Sequence, residues 1–155
     1  MTRERAEGPF KVEMEAFPLL RMASPSVAQF DQPSASSFFA CIDAGLAREE
    51  PFVILLDARG VPHADEVRRK DFMQHLELRR PVIERQVVAF AAVCGSPLER
   101  GLVTAFMWFI RLALPIRIFG RESEAEAWLL ARYQAAVPEH AWRAADQRMR
   151  RPITS

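Results

Sequence analysis

The sequence has no surplus of charge of either sign. Its 21 Lys and Arg nearly cancel its 20 Asp and Glu, so it lacks the strong field with which a dedicated nucleic-acid binder attracts phosphate. Cysteine is scarce. Cys41 and Cys94 lie far apart and form no C-x-x-C pair, which argues against a disulfide framework and fits a reducing, cytoplasmic setting. The opening MTRERAEGPFKVEME carries charges but no apolar h-region, so no secretory signal is expected.

A long apolar run is missing too. A membrane-crossing helix needs about 20 predominantly apolar residues, whereas the best candidate runs only from Leu102 to Ile110 before Arg111, Pro115 and Arg117. No transmembrane segment is expected. Glycine is sparse, and the two in GSPLERG are not spaced as a phosphate-cradling loop; no Lys-Ser/Thr follows them. The small basic cluster RMRRP, beside Trp142 and Arg143, reads as a solvated tail rather than a nucleic-acid site.

What is present is a chain of 155 residues, half of them hydrophobic, enough for one domain with a real core. Phe10, Val12 and Met14 alternate with charged residues and predict a half-buried strand. FPLLRMA predicts a second strand that pairs with the first as a hairpin. A helix follows to about Glu49, capped by Ser34 or Ser36, with Phe38, Phe39, Ile42 and Leu46 near one face. FVILLD and VVAFAAVC are continuous apolar runs of the kind covered on both faces of a sheet. Between them residues 64–80 carry a helical period with Val67, Phe72 and Leu76 inward, and Pro81 ends or kinks that helix. Ser96 and Pro97 suit an N-cap and first helical position for a helix to about Leu112. PIRIF is a short strand, and a final helix follows over Ala125, Trp128, Leu129 and Arg132. Beyond Pro138 one or two more helical turns are expected.

The order is β-β-α-β-α-β-α-β-α. It predicts an α/β fold with a single mixed, largely parallel sheet of about five strands and about four helices packed on it. The expected organisation is a flexible N-terminus over 1–8, one domain over 9–137, and a C-terminal helical extension or tail over 138–155. The stretch Phe106, Met107, Trp108, Phe109 and Ile110 needs a separate account. At about 100° per residue five consecutive apolar residues surround a helix and cannot all face one sheet. A second partner must cover some of them: another helix, a second subunit, or an apolar ligand.

Three segments, FVILLDARGV at 52–61, VVAFAAVCGSPLERGLVTAFMWF at 87–109 and PIRIFGRESEAEAWL at 115–129, resemble the STAS-like superfamily and more narrowly its SpoIIAA-like group of small bacterial proteins. The similarity covers roughly residues 9 to 133. It implies a non-enzymatic regulatory or scaffold module that binds protein partners. Such domains carry a phosphorylated Ser or Thr at the start of the helix after the Asp-containing strand. This chain departs there, since GVPHADEV has no hydroxyl. The same group resembles the CRAL-TRIO lipid-carrier architecture, which keeps an apolar ligand in play.

Asp57, Arg59 and His63 fall at the carboxyl end of a predicted parallel strand, where open α/β sheets bind ligands; Ser96 and Arg100 join them from the next strand's exit. Alternatively Asp57 caps its loop and Arg59 is a surface turn residue. His63, Asp65 and His75 do not make a metal site, because about 15 Å of helix separates the first two from the third. No cofactor is expected. Cys94 is either a buried structural thiol or, with a histidine, a nucleophile. The reading is a protein-interaction module, self-associating as a homodimer, that uses either the helix at 97–112 with Phe106, Met107, Trp108 and Phe109 or the region around Asp57 and His63. The alternative is a small apolar-ligand or lipid carrier with a cavity of several hundred Å³ lined by the same residues. A hydrolase or transferase built on Cys94 or His63 is the third.

Overall fold

The computed structural model describes residues 10–24, 32–60 and 66–149. His63 with the rest of the loop VPHAD, residues 1–8 and the end of the basic tail lie outside the described residues. Five strands form one sheet in the order β1-β2-β3-β4-β5: β1 (Lys11–Glu13), β2 (Leu19–Ala23), β3 (Phe52–Asp57), β4 (Val87–Val93) and β5 (Ile116–Phe119). β1 pairs antiparallel to β2, and all other pairings are parallel. The fold is α/β with one mixed sheet.

Five helices surround it, one more than the sequence leads one to expect: α1 (Gln32–Leu46), α2 (Glu66–Gln86), α3 (Pro97–Ile110), α4 (Glu122–Ala136) and α5 (Glu139–Met149). The additional helix is α5, three turns long where one or two are expected. Ala145 and Met149, one turn apart, are buried against the core, and that burial carries the helix past the point where its polar composition would let it fray.

Strands advancing one way with right-handed crossovers put every crossover helix on the same face. α1, α2 and the inner residues of α3 accordingly share one cluster with Phe52, Ile54 and Leu56. The opposite side chains, Val53 and Leu55 with Ala89, Ala91 and Val93, meet α4, which bridges no strands and turns back under the sheet. This alternation explains why β3 and β4 read as unbroken apolar runs. Arg21 of β2 faces α4 and pairs with both Glu122 (2.6 Å) and Glu126. On the other face, a Cβ at Gly45 would lie 2.7 Å from the Phe52 ring and 2.9 Å from Leu20, so α1 approaches the sheet only because glycine stands there.

Several boundaries differ from expectation. α1 starts before Ser34, which is fully buried in its first turns instead of capping it. α2 continues through Pro81 as one helix to Gln86. Phe72 and Leu76 face inward, but Val67 is 63% exposed: it sits in the first turn, before the helix reaches the core. α3 stops at Ile110, where Arg111 adopts a left-handed conformation (φ 45°, ψ 60°) that closes the helix.

Candidate functional site

At the carboxyl ends of β3 and β4 the sequence-predicted polar residues do meet. Asp57 accepts from Arg59 Nε at 2.8 Å and from Nη2 at 2.7 Å, a two-pronged pair, and Arg59 packs along Gly95. Burial would raise the Asp57 pKa, but the hydrogen bonds and charge of Arg59 outweigh it and hold the carboxyl below its ordinary value. The organising residue is one the strand-end argument passes over. Glu99 accepts the backbone N–H of Gly60 (2.6 Å) and of Gly95 (2.7 Å), tying the two strand-exit loops together. Its own N–H donates to Ser96 Oγ at 3.2 Å. The S-x-x-E spacing of Ser96 and Glu99 is the capping-box signature, so the signal was in the sequence. Ser96 is thus a helix cap, its hydroxyl taking the Glu99 N–H and its carbonyl the Arg100 N–H. Arg100 lies beside it on a shallow depression with Cys94 and Gly120. Among the described residues Asp57, Arg59, Ser96 and Glu99 of this edge are bonded to one another or to the loop backbone.

The other sequence-predicted residues lie on α3, and its packing is unusual. Its two ends are held by polar bonds. Ser96 and Glu99 fix the N-terminus; at the C-terminus Arg80 of α2 donates to the carbonyls of Ile110 and Arg111, both at 2.9 Å, and Glu84 accepts from Ala113 N at 2.6 Å. Between the ends only Ile110 is buried. Under the helix, between α1, α2 and the sheet, lies an apolar cavity of about 190 Å³.

Leu102, Val103, Phe106, Met107, Phe109 and Ile110 form its α3 wall, Phe39 and Ile42 its α1 wall, Phe72 and Leu76 its α2 wall, and Ile54, Leu56 and Phe90 its sheet floor. The Phe106 ring meets Phe72 edge-on at 4.7 Å, and Phe72 continues to Phe39 at 4.7 Å. Phe106, Met107 and Phe109 therefore line the cavity. Trp108 does not: it points away and is 76% exposed, next to Phe109 at 48%, while Leu98, 73% exposed, stands near the other end of the helix. Among the described residues Arg69, on the exposed side of α2, is the one charged side chain on the lining, and sequence reasoning missed it.

Both thiols are buried. Burial pushes Cys41 up to about 11, and burial followed by the Glu99 charge raises Cys94. Among the described residues no hydrogen bond joins the Cys94 sulfur to a base. His75 stacks on Phe39 at 5.3 Å, and no three His, Cys, Asp or Glu side chains among the described residues gather as a metal site. No helix among them is long and apolar enough to cross a membrane. Compared with known proteins, the chain matches no family model, no curated protein and no solved structure.

Proposed function

We propose that this chain binds a small apolar molecule in the cavity beneath α3. One observation carries the reading: a helix hydrogen-bonded at both ends spans an apolar space while its inward-facing Leu102, Val103, Phe106 and Met107 stay only half-buried. Close packing is the rule in protein interiors, and a helix held off its sheet forfeits dispersion contacts that a ligand would restore. The volume is smaller than the several hundred Å³ expected of a carrier. It is nearer to an apolar cavity of about 150 Å³ that accepts a single benzene. The ligand is correspondingly small: one ring or a short chain. Two free, buried cysteines suit a cytoplasmic setting for such a protein.

The test is a titration of the ¹⁵N-labelled chain with 1-octanol, followed by NMR. Saturable shifts at α3, α1 and the β3–β4 floor are expected. Val103→Phe, which fills the space from α3, should abolish them while leaving the far-UV circular dichroism unchanged. Shifts that never saturate, or that survive Val103→Phe, would overturn the proposal.

A second reading follows from the outer side of α3, where Trp108 stands in solvent next to Phe109 at the cavity rim. The resemblance to STAS-like proteins implies a regulatory or scaffold module, and an exposed Trp beside Phe is the composition of an interface centre. Self-association through this side is compatible with a ligand on the other. The hydrolase or transferase reading gains no support from Cys94, whose burial favours the protonated thiol.

A further inference from the structure

We infer that the ligand of the cavity is an amphiphile with a single carboxylate head, its tail between Phe72, Phe106 and Ile54 and its head against Arg69. This rests on the reading of the cavity as a small-molecule site and specifies the chemistry of its occupant. Arg69 lines the cavity from the exposed side of α2, so it marks the rim. Three other arginines of the same helix are engaged, Arg68 with Asp71 at 3.4 Å, Arg79 with Asp43 at 2.8 Å and Arg80 with Glu77 at 2.7 Å, and Arg85, near the end of the helix, does not line the cavity. Arg69 has no ion pair or hydrogen bond among the described residues, and no carboxylate shares the lining with it.

A guanidinium at the mouth of an apolar cavity adds nothing to the binding of a neutral hydrocarbon. For an amphiphile it supplies a planar fork that matches a carboxylate with two parallel hydrogen bonds. The charge balance favours a carboxylate over a phosphate monoester, which carries nearly two negative charges at neutral pH against one unengaged cation here. Size limits the tail. If about 150 Å³ holds six ring carbons, then 190 Å³ holds a tail of roughly seven or eight. The competing role for Arg69 is to lay its aliphatic stem over the apolar rim with its head in water.

Octanoate, octyl phosphate and 1-octanol share a tail and differ in head, so calorimetric titration of the full chain and of Arg69→Gln separates the two roles. Arg69 is exposed, and its replacement leaves the core untouched. We expect octanoate to bind Arg69→Gln about fivefold more weakly than the original chain, the size of one exposed ion pair. The 1-octanol affinity should be the same for both proteins, and octyl phosphate should bind no more tightly than octanoate. An Arg69→Gln effect equal for octanoate and 1-octanol would show that Arg69 only packs, and would overturn the carboxylate while leaving the cavity reading intact. Tighter binding of octyl phosphate would replace the carboxylate with a doubly charged head. No saturable binding of any of the three would remove the cavity reading and this inference together.

Discussion

Glu99 decides more than its exposure suggests. Two backbone N–H groups, from loops that follow different strands, converge on its carboxylate and hold its pKa below the ordinary value. A carboxyl whose folded pKa is depressed stabilises the fold fully above its unfolded value of about 4.3 and loses that contribution as pH falls through it toward the folded value. Glu99→Ala should therefore cost about 1 kcal/mol at pH 7, the usual size of a helix-capping interaction, and much less at pH 3. Ser96→Ala removes a neutral acceptor, and its cost should be the same at both. Urea unfolding of the two variants at pH 7 and pH 3 checks this; a Glu99→Ala cost that does not shrink at low pH would mean that the carboxylate is not the stabilising species. The capping residues were legible because S-x-x-E is a local pattern. Arg69 was not, because it is the packing of α2 against the rest of the fold that places it on the cavity lining.

Among the elements, the strands were the most readable and α3 the least. β3 and β4 announce themselves because burial on both faces removes every polar residue from their interiors, and helices on both faces follow from the same fact. α5 was underestimated because Pro138 and a run of charged residues mask the spacing of Ala145 and Met149. The sequence shows that the aromatics of α3 exceed what one sheet can cover, but not that Trp108 turns outward while Phe106 turns in, nor that the helix stands clear of the sheet. That separation is a tertiary quantity, which no local pattern within α3 records. A helix with one buried residue in its span should open locally at lower free energy than the strands below it. Gly101 adds to this, since it is exposed in the helix interior and a Cβ there would meet nothing within 4 Å. Gly101→Ala should stabilise α3 by about 0.7 kcal/mol through the unfolded chain's entropy. Amide exchange of α3 should slow by roughly threefold, with β4 unchanged. Equal slowing throughout would instead mean that α3 opens only with the whole domain.

At the scale of the whole molecule the two faces of the sheet are finished differently. The α4 face is closed by a second helix layer, α5, and by the Arg21 pairs to Glu122 and Glu126. The opposite face ends in α3, with a cavity on its inner side and Leu98, Trp108 and Phe109 outside. Exposed apolar residues scattered singly are ordinary, and Leu98, about 15 Å along the helix from Trp108, is one such residue; the adjacent Trp108 and Phe109 are the pair that the proposed self-association would cover. In a homodimer built on this side, Trp108 would lie at the interface centre, where aromatic side chains each contribute upward of about 1 to 2 kcal/mol. Sedimentation velocity across a concentration series should then show a monomer–dimer equilibrium whose Kd rises at least about tenfold in Trp108→Ala. Phe109→Ser should act in the same direction, both with unaltered circular dichroism, since neither side chain is needed for the core. Phe109 also lines the cavity, so its substitution should weaken octanol binding as well, while Trp108→Ala should leave octanol binding alone. If the chain is monomeric at all concentrations and Trp108→Ala changes nothing, the outer side of α3 does not mediate self-association, and the functional case for this helix rests on its inner side alone.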